Sequence, residues 1–268
     1  MKKWWAVYRL CLTQAFTHRA ETLLWVILDI FPSIIVLATW KIMFAEGMNL
    51  GTTTFQNLVT YYLGIQVVLN LAETHFEQRW IDTVHAGKID GFFTKPMSFP
   101  AFIVVDSIAR KTIAFFAFLL PFGLLAAYLT STGELELSNI TLDRIFLFTL
   151  FICCAFIFNF LSSFASVLTA FWLNENAGSV SHLKWILSSV FGGTIAPLAL
   201  YPQWLQNISA LLPFQRLFST PASILNHSFS ISYFWIELCI LVGYTIAFWI
   251  VIKMFWGNAL KRFSSVGG

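Results

Sequence analysis

Charge is scarce in this chain: Asp, Glu, Lys and Arg make up 11% of its 268 residues, where soluble domains carry about 25%. So few charges cannot clothe a folded surface of this size, which excludes an ordinary water-soluble fold. No polar stretch is long enough to hold a separate catalytic or nucleotide-binding domain. The phosphate-loop pattern GxxxxGK[ST] is missing as well. The only Gly-Lys pair, Gly87-Lys88, is followed by Ile89, so ATP hydrolysis by this chain itself is not expected. His75 and Glu77 bracket Phe76 without forming an HExxH pair, and no GxSxG elbow occurs, so neither a metal site nor a hydrolytic site is expected. Cysteine is sparse: Cys11, Cys153, Cys154 and Cys239 stand in apolar segments without CxxC spacing, and are expected to be small buried hydrophobes. The net charge of +3 is too small to suggest a nucleic-acid partner.

Apolar surface is what the chain has in abundance. Hydrophobic residues make up 58%, with 29 Phe, 11 Trp and a mean hydropathy of +0.74. A bilayer core about 30 Å thick takes roughly 20 apolar residues per helix. Six runs meet that need, near residues 22–44, 55–74, 107–130, 145–172, 183–200 and 232–256. Arg110 and Lys111 at the start of the third are expected at headgroup level. With both ends in the cytoplasm, thirteen of the 16 Lys and Arg fall on or near the inner face, and only Lys41, Arg144 and Arg216 fall outside. That asymmetry and the even number of spans set the expected orientation. Arg9, His18, Arg19 and Glu21 interrupt any secretory-signal core, so the first residues are expected to be retained.

Three segments are neither span nor plain loop. Residues 1–20 hold an amphipathic helix over 2–17: Trp4, Trp5, Tyr8, Leu12, Ala15 and Phe16 share one third of its circumference, opposite Lys2, Arg9, Thr13 and Thr17. Such a helix suits an interface with anionic lipid. Residues 75–98 form an elbow after the second span. Phe76, Trp80 and Val84 recur at helical spacing with Ile81 beside them, while Glu77, Arg79 and Asp82 point elsewhere, predicting a helix over 76–86 that Gly87 ends. A second turn, Lys88 to Phe93, is expected to stop at Gly91 and Pro96, and Pro100 to open the third span. Residues 197–230 are apolar yet cut by Pro197, Pro202, Pro213 and Pro221. They predict a re-entrant hairpin on the outer side, with one short helix carrying Trp204, Leu205, Ile208, Leu211 and Leu212, and another piece over 214–225.

Within the spans, Tyr62, Gln66 and Asn70, continued by Glu73 and Glu77, form one polar stripe. In hydrocarbon an unpaired hydroxyl or amide costs about 2–7 kcal/mol, so the stripe must face protein or water. It fits the wall of a translocation pathway or a seam of interhelical hydrogen bonds. Asn159, Ser162, Ser163 and Ser166, and Ser188 and Ser189 four residues before Gly192 and Gly193, suit close helix packing. Asp29, costing about 2.5–3.5 kcal/mol at mid-span, needs a partner or a watery cavity.

The whole arrangement resembles the type 2 (ABC-2) exporter permeases. The segment His85-Ala-Gly-Lys-Ile-Asp-Gly-Phe-Phe-Thr-Lys-Pro-Met-Ser98 is similar to that family's Gly, short apolar turn and basic residue followed by Pro, here Gly87, Lys95 and Pro96. Pro202-Gln-Trp-Leu205, Leu211-Leu-Pro-Phe-Gln215 and Thr220-Pro221 carry the second part of the likeness. The family often has a Glu shortly before the Gly. His85 and Ala86 stand there here, and the acidic role passes to Asp82.

The resemblance implies an all-α integral membrane protein with six transmembrane helices, an N-terminal interfacial helix, a cytoplasmic coupling helix and an outer re-entrant hairpin. It further implies pairing with a second permease subunit, identical or homologous, and with cytoplasmic ABC ATPase subunits that bind the ATP and Mg. No cofactor is expected in this chain. Trp80 and Ile81 would anchor the elbow in the ATPase, with Glu77, Arg79 and Asp82 as its charged members. The implied function is export of an amphipathic or lipid-like cargo across a bacterial plasma membrane. An ion-driven secondary transporter would instead show paired ionisable residues at mid-membrane, for which Asp29 is the one candidate. A non-transporting assembly factor is the third class.

Overall fold

The computed structural model describes residues 2–48, 53–93, 97–135, 140–173, 176–226 and 230–262. They form twelve α-helices and no strand. In chain order these are α1 (Lys2–Thr17), α2 (Arg19–Ala45), α3 (Phe55–Ala72), α4 (Glu77–His85), α5 (Asp90–Phe93), α6 (Phe99–Ser131), α7 (Leu142–Thr169), α8 (Ala177–Phe191), α9 (Gln203–Leu211), α10 (Phe214–Leu217), α11 (Ser219–Ile224) and α12 (Ile231–Arg262). Local chemistry sets several ends. The Thr54 hydroxyl caps α3 by accepting from the Asn57 N–H at 3.2 Å. Gly87, at φ +68°, ends α4 with its own N–H on Val84 O and that of Lys88 on Thr83 O, a left-handed stop that glycine takes without strain. Pro100 lies in the first turn of α6, where its missing N–H has no helical partner to lose.

α2, α6, α7 and residues Ser232–Ala259 of α12 are long and apolar enough to cross a membrane. Half of the apolar window of α7 is buried (50%), against 11–22% for the other three, which makes α7 the central helix. It runs through both main cores. One gathers Leu58, Tyr62 and Ile65 of α3, Phe151 and Phe158 of α7, Ala222 of α11, and Phe234 and Leu241 of α12. The other gathers Phe76, Trp80 and Ile81 of the elbow, Phe99 and Ile103 of α6, Phe164 of α7 and Ile252 of α12. The remaining faces of α2, α6 and α12 are apolar and exposed, with Phe116, Leu120 and Leu124 as examples on α6.

α3 has 18 residues and α8 has 15, and neither is among the four helices long and apolar enough to cross a membrane. Other expectations need correction. The run at 183–200 is not one helix: α8 begins six residues earlier, ends at Phe191, and the chain then turns through Gly192 and Gly193 into a short 3-10 turn, Leu198–Leu200. Gly91 lies inside α5 rather than stopping it. Only Cys11 of the four cysteines is buried, Cys153 and Cys239 being exposed. The apolar arc of α1 is divided. Tyr8, Cys11 and Ala15 turn to α6, with the Tyr8 hydroxyl on Thr112 Oγ1 at 3.1 Å, while Trp5 and Phe16 stay exposed. In the proline-cut segment three short helices, α9, α10 and α11, fold back onto α3, α7 and α8.

Candidate functional site

The elbow is braced from several sides by its own chain. α4 turns one face inward, where Phe76, Trp80, Ile81 and Val84 are all buried. The indole of Trp80 sits among three rings, Phe92, Phe99 and Phe102, at centroid distances of 5.7, 5.2 and 5.9 Å. Edge-to-face contacts of this kind add to the burial itself. The expectation that Trp80 and Ile81 anchor a partner is thereby corrected: their surface is spent on the chain's own α5, α6 and α7 cluster.

The charged residues of α4 divide in the same way. Glu77 is buried and forms an ion pair with Lys184 of α8, whose own side chain is 12% exposed. The Ser163 hydroxyl donates to Glu77 Oε1 at 2.7 Å and accepts from Lys184 Nζ at 2.7 Å. The Thr74 hydroxyl meets that of Ser163 at 2.5 Å and donates to Asn159 O at 3.4 Å. Burial alone would raise the Glu77 carboxyl; the Lys184 ammonium and the hydrogen bonds from Lys184 and Ser163 outweigh it and hold the group below the ordinary carboxylate range. The network joins the end of α3, the elbow, α7 and α8.

Arg79 reaches the other way. Its guanidinium pairs with Asp106 of α6, which Arg110 also approaches at 3.3 Å, and it lies over the Trp80 ring at 5.0 Å. Asp106 is 2% exposed, a charge taken out of water only because two guanidinium groups surround it. Arg79, expected as a charged member of the coupling face, thus spends its charge on α6 while its side chain stays partly exposed. Asp82 remains outside, accepting from Gln78 Nε2 at 2.9 Å. With Gln78, His85 and Lys88 it makes the exposed polar face of the elbow. Gly87 closes α4 as described, while Lys95 and Pro96 lie outside the described residues.

The polar stripe of α3 faces protein. Tyr62 is buried, receives the Trp40 indole N–H at 3.3 Å and donates to Ile195 O at 3.0 Å. The Gln66 amide donates to Asp29 O at 3.0 Å and to Ser33 Oγ. The main-chain carbonyl of Asn70 receives the Lys111 ammonium, while its side-chain Oδ1 is buried without a hydrogen-bond partner among the described residues. Asp29 itself is exposed on α2, in the field of His75, Glu73 and Lys111.

Four residues of these networks escape a reading by sequence. Asp106 and Lys184 look like interfacial charges, yet each fixes the elbow from another helix. Arg216, taken for an outer-face cation, is buried; it donates to Ala210 O at 2.9 Å and Leu212 O at 3.1 Å, closing the end of α9, and pairs with Glu237 of α12 at 2.8 Å. Glu237 is the only carboxylate in the run 232–256, and that isolation is a signal the sequence does hold.

Several long apolar helices around a central one, with a charged elbow pinned at one end, define a multi-pass helical membrane protein. Its family follows from comparison with known families: the sequence model of the ABC-2 family transporter proteins matches residues 30–267, and the chain belongs to that family. It is accordingly a membrane component of an ABC transporter and not its ATPase, and the family implies association with an ABC ATPase subunit. No curated protein matches the chain.

Proposed function

We propose that the chain is the permease subunit of an ATP-driven exporter, crossing the membrane six times with both ends in the cytoplasm. In this reading α3 and α8 complete two crossings together with the segments that follow them, and residues 197–230 are the re-entrant hairpin of the outer side. A second permease subunit completes the pathway. The ATP and Mg are held by cytoplasmic ABC ATPase subunits, and an amphipathic or lipid-like cargo moves outward. The stripe of Tyr62, Gln66 and Asn70 is then a seam along the pathway wall, closed by the hydrogen bonds to α2 and to Ile195 and opened during transport.

The observation that carries the reading is the two-sidedness of α4. Its inner face is fixed by rings and by two ion-pair systems, while Gln78, Asp82, His85 and Lys88 are exposed, Gln78 lying beside Gly178 of α8 and His85 3.2 Å from Leu173 O. A surface helix whose inner face is this firmly held can receive a push and pass it on, which a loose connector cannot. Asp82 supplies the negative charge on that face. Replacing Asp82 with Arg is expected to abolish co-purification of an ABC ATPase from native membranes while leaving the melting temperature of the permease unchanged, because Asp82 is exposed and among the described residues its side chain bonds only to Gln78. Undiminished ATPase recovery with Asp82→Arg would overturn the docking face.

A further inference from the structure

α8 touches the elbow and the hairpin at its two extremities. At its start, Gln78 Oε1 stands 2.9 Å from where a Cβ on Gly178 would lie, so the Gln78 side chain rests against the helix there. At Lys184 the ammonium is held by Glu77 and Ser163. Eight residues on, about 12 Å along the axis, Gly192 closes the helix. A Cβ there would lie 2.7 Å from Phe218 Cδ2 and 3.4 Å from Phe214 O, both in the hairpin. Gly193, at φ +76°, gives its carbonyl to the Tyr61 hydroxyl at 2.7 Å. Between these attachments Leu183, Trp185 and Ile186 are half exposed.

The two ion-pair systems of the elbow differ in what they can transmit. Asp106 keeps Arg110 if Arg79 leaves, and both guanidinium groups are about four-tenths exposed, so water can replace either contact. Among the described residues Lys184 has Glu77 as its only ion-pair partner, and both side chains are nearly dry. Separating them would strand two charges in a medium of low polarity, so a displacement of Glu77 carries Lys184 with it.

We propose that α8 is the strut by which movement of the elbow reaches the hairpin, with Lys184 the positioning residue at the driven end and Gly192 the joint at the other. The proposal rests on the reading above that a separate ATPase moves the elbow. What it adds is the route: the hairpin responds through α8, and not through α6 by way of Arg79 and Asp106.

The test is hydrogen–deuterium exchange on the full permease purified with its own ATPase, with and without ATP plus orthovanadate, read on peptides of the elbow and of residues 203–224. Trapping the wild type is expected to change exchange in both regions. Lys184→Met is expected to retain the elbow response and lose the hairpin response, and exchanging the charges (Glu77→Lys with Lys184→Glu) to restore it. Arg79→Gln is expected to leave the hairpin response in place. If Lys184→Met is not recovered as a complex, Phe218→Leu, which loosens the Gly192 joint, should give the same loss with the elbow response kept. A wild-type elbow response without one at the hairpin, or a full hairpin response in Lys184→Met or in Phe218→Leu, overturns the strut. A wild-type preparation containing no ABC ATPase instead overturns the reading on which the strut rests.

Discussion

At the elbow, elements are joined by buried charge and edge-to-face rings; at the hairpin, they are joined by absent side chains. Glu77, Lys184, Ser163 and Thr74 tie α4, α8, α7 and the segment after α3 together through charge and hydroxyls. On the hairpin side Gly64 lies against Ala222, Gly192 against Phe218 and Gly193 against Tyr61, each at a spacing that leaves little or no room for a Cβ. Charge gives direction and resists separation, but answers to protons and to its partner's identity. Close backbone packing answers only to volume. Each end should therefore fail to a different kind of substitution. The ion pair of buried Arg216 with Glu237 closes α9 and holds α10 to α12.

The largest effect is expected from the rings. Trp80→Ala empties the space between Phe92, Phe99 and Phe102, and truncating a buried aromatic of this size costs about 3–5 kcal/mol. The measurement is the melting temperature of the permease in detergent. Trp80→Phe, which keeps most of the ring contact, should recover the greater part. If Trp80→Ala instead melts like the wild type and loses only its ATPase, Trp80 serves a partner rather than its own chain.

These residues also mark what a sequence can and cannot disclose. Helix faces were legible where apolar residues recur at fixed spacing: α1, α4 and α9 fall where Trp4 to Phe16, Phe76 to Val84 and Trp204 to Leu211 place them. Gly87 and Pro100 announced their boundaries through backbone chemistry that depends on one residue each. The partners were not legible. Lys184 is 107 positions from Glu77, and Asp106 is 27 from Arg79; nothing in local spacing joins them. A lone cation beside an apolar run reads as a headgroup charge because that is the cheaper place for it, and only a buried carboxylate opposite reverses the balance. The fifth run was misplaced for that reason, since Lys184 stands in the middle of α8 and not at its edge. The polar stripe of α3 was legible as a stripe, but its partners Trp40, Ser33 and Ile195 were not.

The second effect separates the two ends by chemistry. Lys184→Met leaves Glu77 buried without its cation, and breaking a buried pair from one side costs about 3–5 kcal/mol. The lower end is expected, since Ser163 still donates to the carboxylate. The pH dependence has a definite sign. The folded Glu77 titrates below its ordinary value of 4.5, so its contribution to stability is fully present above that value and is lost as the pH falls through the lower, folded value. Wild-type melting temperature should drop in that acidic window, and Lys184→Met should show a smaller drop. Equal acid sensitivity in the two proteins would mean that the pair does not set the behaviour of the elbow.

The smallest effect belongs to the hairpin side and tests volume alone. Gly64, in the middle of α3, would place a Cβ 3.1 Å from Ala222 Cα and 3.3 Å from Ala222 Cβ and O. The nearest atom is main chain, which cannot rotate aside, so α11 must shift by a few tenths of an ångström. Alanine in a helix interior gains about 1 kcal/mol over glycine, which offsets much of that shift, and Gly64→Ala should melt close to the wild type. Gly64→Leu adds volume that no helix preference offsets, and overpacking of this kind costs about 1–3 kcal/mol. Ala222→Gly in the same chain removes the opposing methyl and should return part of the loss, whereas acid or charge exchange at Glu77 and Lys184 should leave the Gly64→Leu deficit as it is. A deficit that changed with those charges would show that the two ends are one cooperative unit, held by a single packing and not by two.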